Sequence, residues 1–161
     1  MNTGLIIKKA IDYFGNDTKR INHFMKVYSF AKTIGELEGL SDREQSILDV
    51  TAVLHDIGIK NAEAKYNSSA GKYQEQEGPA VAQDILTEFD FDREFVERVK
   101  FLIGHHHTYD NIQGMDYQIL VEADFIVNIY EDNMQKEAIE NVINKIFVTK
   151  AGTEIAKTMF L

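Results

Sequence analysis

The sequence predicts an all-α domain. Nearly every segment repeats its apolar residues at helical spacing, no Val/Ile/Thr-rich block alternates as a strand would, and Pro79 is the one proline in 161 residues. A chain of this length fits one domain whose core needs no staples. Residues 1–161 are therefore read as a single helical bundle of about six to eight helices.

The first helix is expected over Asn2 to Phe14, stopped by Gly15-Asn16. Asp17 or Thr18 caps a second helix, in which His23, Val27, Phe30 and Ile34 share one stripe. Gly35 is tolerated inside it and Gly39 ends it. Ser41 opens a third helix with Glu44 three residues on, a capping box, and this helix is expected to run through Ile47, Val50, Val53 and Leu54 to Gly58. From Lys60 to Gly71 the chain is polar and rich in small residues, and Asn-Ser-Ser-Ala-Gly marks a turn. A helix over Lys72 to Phe89 follows, kinked at Pro79 or starting its main part there. The next covers Arg93 to Ile103, before Gly104 and the loop HHHTYDNIQG. Met115 to Tyr130 is apolar apart from Glu122, Asp124 and a few polar residues, and shorter helices are expected near Gln135 to Val148 and Gly152 to Met159.

Composition narrows the chemistry. With no cysteine, any metal ligand must be His, Asp or Glu, and disulfides are excluded. The formal net charge of -9 argues against nucleic acid and anionic membrane as partners, while a small phosphorylated molecule stays compatible because a bound cation makes a pocket locally positive. There is no charged-plus-apolar leader and no apolar run near the ~18 residues needed to span a bilayer, so the expectation is a cytoplasmic protein.

The chemistry candidates are His23, the pair His55-Asp56, the cluster His105-His106-His107, and Asp124. His55-Asp56 interrupts the apolar run VTAVLHDIGI, and a buried carboxylate left without a partner costs about 3–5 kcal/mol. A divalent cation would supply that partner. Neighbouring helical residues point about 100° apart, so both side chains reach one ion only near a helix end, which Gly58 provides. Asp124 could instead pair with a buried cation, but the chain between Leu102 and Ile129 has no Lys or Arg. Alone, His23 reads as a boundary residue and the triple histidine as a solvated loop. Together these residues form a set suited to Mn, Fe, Ni, Zn or Mg.

The order His23, His55-Asp56, His106, Asp124 resembles the HD-domain superfamily of metal-dependent phosphohydrolases, in particular its small stand-alone members. AVLHDIG and LVEADFIVN look like that family's two most recognisable blocks, and the resemblance runs from about His23 to Tyr130. It implies an all-helical bundle in which His23, His55, Asp56 and Asp124 hold one divalent ion. In two-metal members, which include cyclic-dinucleotide phosphodiesterases and dinucleoside tetraphosphate hydrolases, the Asp of the pair bridges both ions. His106 and His107 match the tandem histidines of those members, with His105 a weaker third.

The chain also departs from the pattern. Members with HDIGK carry a lysine directly after the glycine, whereas HDIGIK displaces Lys60 by one residue. A histidine four residues before a Gly-Ala pair is Gln74 here, before Gly78-Pro79, and Glu77 is the candidate to replace it at a second ion. The resemblance implies metal-assisted hydrolysis of a phosphomonoester or phosphodiester, of a nucleotide or similar small metabolite. Asp56 would be ligand and proton acceptor, His106 or His107 would contact the phosphate, and Lys60 and Lys65 are further phosphate candidates. Tyr66, Tyr73 and Tyr109 are candidates to stack on a base. A different class of reading is a metal-containing regulatory module that binds a phosphorylated ligand with little or no turnover. A third is a structural helical domain with satisfied core histidines.

Overall fold

The computed structural model describes residues 2–161, and they form nine helices joined by short turns, with no strand among them. These are α1 (Thr3–Phe14), α2 (Thr18–Glu38), α3 (Asp42–Leu54), α4 (Ile59–Tyr66), α5 (Gly71–Leu86), α6 (Arg93–Ile103), α7 (Met115–Glu131), α8 (Lys136–Ile146) and α9 (Lys150–Phe160). None of the described helices is long and apolar enough to cross a membrane.

Local chemistry sets the starts and stops. The Asp17 side chain accepts from Arg20 N at the start of α2, and Gly39, at φ 74°, closes that helix in the left-handed conformation that glycine adopts without strain. At α3 the capping box is complete, Ser41 Oγ accepting from Glu44 N while Glu44 Oε2 accepts from Ser41 N. Asp92 and Thr149 cap α6 and α9 by accepting from Phe95 N and Gly152 N.

α2, α3 and α7 pack on one another and form the centre of the bundle. α7 is buried over most of its circumference, its polar residues Asp116, Gln118, Glu122 and Asp124 included. The α5–α6 hairpin leans on α3 through α6, α1 covers α3 and α2, and α9 closes the far side against α2 and α7. The inward stripe of α2 is Phe24, Val27, Ala31 and Ile34, with His23 beside it. Phe30, expected in that stripe, is half-buried at its edge, because the 3.6-residue period favours Phe24 and Ala31 for the centre.

Three further boundaries differ from the sequence reading. The third helix ends at Leu54 rather than at Gly58, and residues 55–58 form a tight turn in which Ile57 N donates to Leu54 O and Ile59 N to Asp56 O. Within the expected Lys60 to Gly71 turn region lies the two-turn helix α4, held by its packing on α5 rather than by its own polar sequence. α5 runs through Pro79 as one helix. α4 and α5 meet backbone to backbone: a Cβ on Gly58 would lie 2.5 Å from Gly78 N and 2.6 Å from Gln74 O.

Glu122, fully buried, ties α9 to α7. Its Oε1 accepts from Gln118 Nε2 at 2.8 Å, Val148 N at 2.7 Å and Thr149 N at 2.9 Å, and its Oε2 accepts from the Thr149 hydroxyl. Two residues along a helix turn about 200°, so this carboxylate and Asp124 leave α7 on opposite faces.

Candidate metal centre

The ends of α3 and α6 aim two imidazoles by the same device. His55 follows the last residue of α3, and its Nδ1 donates to Ala52 O at 2.7 Å. His106 follows α6, and its Nδ1 donates to Ile103 O at 2.7 Å. A carbonyl can only accept, so each neutral ring carries its proton on Nδ1 and its lone pair on Nε2. On α2, His23 presents Nδ1 to Glu131 Oε2 at 2.9 Å, and this carboxylate fixes the same tautomer. Lys26 Nζ, 2.6 Å from Glu131 Oε1, holds the carboxylate in turn.

The freed Nε2 atoms converge. His23 Nε2 lies 3.2 Å from His55 Nε2, 3.2 Å from Asp124 Oδ1 and 3.4 Å from Asp56 Oδ2. His55 Nε2 is 3.5 Å from Asp56 Oδ2 and 3.6 Å from Asp124 Oδ1. Asn128 Nδ2 steadies Asp124 by donating to its Oδ1 at 3.0 Å. The other oxygen of Asp56 faces a second group: His106 Nε2 sits 3.4 Å from Asp56 Oδ1 and has no hydrogen-bond partner, although His106 is buried. Ligand atoms of Asp56, His106 and His107 lie within 4.8 Å of one another, as do those of His23, His55 and Asp56.

Lone pairs facing lone pairs and carboxylates repel unless a positive charge stands between them. The protonation behaviour reports the same demand. Burial works against a charged His55, yet Asp56 and Asp124 outweigh it and push the imidazole up to about 9. Burial would raise Asp56 and Asp124, but His55 and His106 hold the first, and His23 and His55 the second, well below the usual carboxylate range. His107 goes the other way, burial and the neighbouring His106 lowering it to about 4. A donor set of imidazole nitrogens and carboxylate oxygens suits a divalent ion of the hard-to-borderline class, so the residues present fit the metal that the sequence suggests.

Other expected residues lie elsewhere. Lys60 Nζ donates to Tyr13 O at 2.8 Å and rests over the Tyr13 ring, so the structure does not bring it to the cluster. Glu77 accepts from Lys65 Nζ at 2.8 Å and from the Tyr66 hydroxyl at 3.1 Å, and Lys65 holds it below the usual carboxylate range. Neither Glu77 nor Lys65 joins the metal-binding groups. Gln74 Oε1 is 3.3 Å from His107 Nε2, and its Nε2 donates to Ser69 O at 2.7 Å. His105 donates to Phe101 O and stacks on the Phe101 ring, away from the cluster. Tyr66 stacks on Tyr73 at 4.2 Å, and Tyr109 packs on Phe125.

Sequence reasoning missed Glu131, Asn128 and Glu75. Asp124, Asn128 and Glu131 recur at i, i+4 and i+7 of α7, a stripe that could have been read from the chain. Glu75, which accepts from His107 N at 2.9 Å and from the Thr108 hydroxyl at 3.0 Å, carries no such signal. A cavity of about 360 Å³ opens beside the cluster, with His23 and Asp56 on one wall and Lys19, Arg20, Ser69 and Asp132 on others.

The HD domain family matches residues 20–148. A crystal structure of a predicted HD superfamily hydrolase from an uncultured Thermotogales bacterium shares the fold, with a TM-score of 0.66 at 24% identity over 98% of this chain and 82% of that one. The comparison with curated proteins finds no match.

Proposed function

Because the chain belongs to the HD-domain family, we propose that it is a metal-dependent phosphohydrolase, cleaving a phosphomonoester or phosphodiester of a small metabolite with activated water. The observation that carries this reading is the 3.2 Å approach of His23 Nε2 to His55 Nε2, each ring locked by an acceptor at Nδ1 so that both lone pairs point to one place. His23, His55, Asp56 and Asp124 would hold one divalent cation. When bound, such an ion lowers the pKa of water towards ~7 and offsets charge on phosphoryl oxygens.

The chain's own groups do the rest. Asp56 spans the two clusters, Oδ2 facing His23 and Oδ1 facing His106, so the residue would help hold the cation and its outer oxygen would accept a proton from the attacking water. His106 Nε2, buried and without a hydrogen-bond partner, takes up that proton and presents it to the leaving oxygen. His107, held low by its surroundings, stays neutral and orients the phosphoryl group. The absence of cysteine fits a reducing cytoplasm as the place of action.

Elemental analysis of the purified protein, with a phosphomonoester and phosphodiester panel in Mn, Ni, Fe or Mg, tests the proposal. One ion per chain and cleavage that disappears in Asp56→Ala is the expected result. Two ions per chain would assign Asp56 Oδ1, His106 and His107 to a second ion. Lys60 tied to Tyr13, and Gln74 where two-metal relatives carry histidine, favour the second reading of a module that binds a phosphorylated ligand without turnover. Stoichiometric metal with no panel member cleaved would select it.

A further inference from the structure

The cavity beside the cluster is built for hydroxyl groups rather than for a nucleobase. Apart from the aliphatic Ile59 its lining is polar, no Phe, Tyr or Trp takes part among the described residues, and its one ring, the His23 imidazole, is packed against His55 and committed to the cluster. An aromatic face is worth roughly tenfold to a hundredfold in affinity for a base, and a base placed here would find only the His23 ring, whose nitrogens face Glu131 and Asp124. The tyrosines that the sequence offered for stacking on a base lie outside this lining and are engaged with other rings, Tyr66 on Tyr73 and Tyr109 on Phe125. The volume, about 360 Å³, lies at the small end of ligand pockets, which run from roughly 300 to 1,000 Å³.

The polar lining has spare capacity of the right kind. Among the described residues, the Lys19 ammonium has no carboxylate within 4.0 Å, whereas Arg20 is held by Asp17 and Glu63. Among the described residues the Asp132 carboxylate has no cation within 4.0 Å, and Asn128 spends only its amide N–H on Asp124, leaving its side-chain carbonyl free. A carboxylate, an amide carbonyl and the Ser69 hydroxyl on the same cavity are acceptors for several O–H donors at once. A nucleobase offers few such donors, while most carbons of a sugar or polyol offer one.

We infer that the substrate is a small polyhydroxylated phosphomonoester of the sugar-phosphate kind, whose hydroxyls bond to Asp132, Asn128 and Ser69 while Lys19 balances the phosphate charge. The inference rests on the phosphohydrolase reading for the reaction, and on the cavity alone for the substrate class.

Calorimetry separates the two. With Mn²⁺ present, three probes are titrated: inorganic phosphate, the non-hydrolysable phosphonate analogue of a hexose 6-phosphate, and that of a nucleoside 5′-monophosphate. The expected result is at least tenfold tighter binding of the hexose phosphonate than of the nucleoside phosphonate. Asp132→Ala weakens the hexose phosphonate about tenfold and leaves inorganic phosphate unchanged, whereas Lys19→Ala weakens all three probes. Equal or tighter binding of the nucleoside phosphonate, or an Asp132→Ala variant that keeps the full hexose preference, overturns the inference. Cleavage of p-nitrophenyl phosphate, measured separately, decides the reaction. Hexose preference without any cleavage would sink hydrolysis and leave the ligand class standing, and cleavage with nucleoside preference would do the reverse.

Discussion

Stripped of divalent cations, the protein loses stability as the pH rises from about 6.5 to about 9. In that state a proton on His55 takes the place of the positive charge that the cluster demands. Burial opposes the charged ring, but Asp56 and Asp124 push it from 6.5 up to about 9. A group whose pKa is raised on folding contributes stability that is present in full below its unfolded value and is lost as the pH passes its folded value. At about 1.4 kcal/mol per pH unit, the loss comes to ~3 kcal/mol. His107 has the opposite sign. Burial and His106 lower it from 6.5 to about 4, so its contribution is lost as the pH falls through that range. The two slopes place the metal-free stability maximum near pH 6.5. A bound cation replaces the proton on His55, so saturating Mn²⁺ flattens the alkaline limb. Urea denaturation at intervals between pH 6.5 and 9, in EDTA and in Mn²⁺, measures this directly. Calorimetric titration of the metal at pH 7.5, in buffers of different ionisation enthalpy, counts the proton released. A metal-free profile that is flat over this range, or one that falls equally with Mn²⁺ bound, would refute the placement of a cation between His23 and His55.

Four other outcomes follow from the same geometry. Glu131→Gln, which weakens the grip on His23 Nδ1, raises the metal dissociation constant about 10- to 100-fold by calorimetry while the fold is kept. Asp124→Ala removes metal and activity together, whereas His107→Ala lowers the rate and keeps the metal; elemental analysis beside kinetics distinguishes them, and equal metal loss would make His107 a ligand. Gly58→Ala forces a Cβ against the backbone of Gly78 and Gln74 and costs about 2–3 kcal/mol in urea denaturation. Glu122→Ala strands the N–H groups of Val148 and Thr149 at the start of α9 and costs about 3–5 kcal/mol, read from the same assay.

The all-helical fold was legible in the chain because it rests on local signals, whereas the candidate ligand set came from the order of its residues and the resemblance that order carries. Periodicity, the Ser41–Glu44 capping box and Gly39 each act within a few residues, and α6 begins and ends where its pattern does. α4 was not legible because its helix is stabilised by α5, a contact that no short window contains. The position of Lys60 was misread for a related reason: its partner Tyr13 lies 47 residues away on α1. Glu77 looked free until Lys65 and Tyr66, on α4, were brought across to it. His55 and Asp56 stand out because charge in an apolar run is conspicuous, while Glu131 passes unnoticed among the polar residues at the end of α7. Its role depends on His23, 108 residues earlier.

The contact between Gly58 and Gly78 fuses the turn that carries Asp56 to the helix that carries Gln74, with no side chain between them to yield. One wall of the cavity is therefore a rigid extension of the His–Asp cluster, and it cannot swing outward without dragging Asp56 from His23. The first turn of α2 and residues 68–70 are joined to that unit without such a backbone contact between glycines, Arg20 reaching Glu63 and the Gln74 side chain reaching Ser69 O. A descendant of this protein that came to accept a larger leaving group would widen the cavity there, through changes at Lys19, Ser69 and their neighbours, and would keep its two glycines.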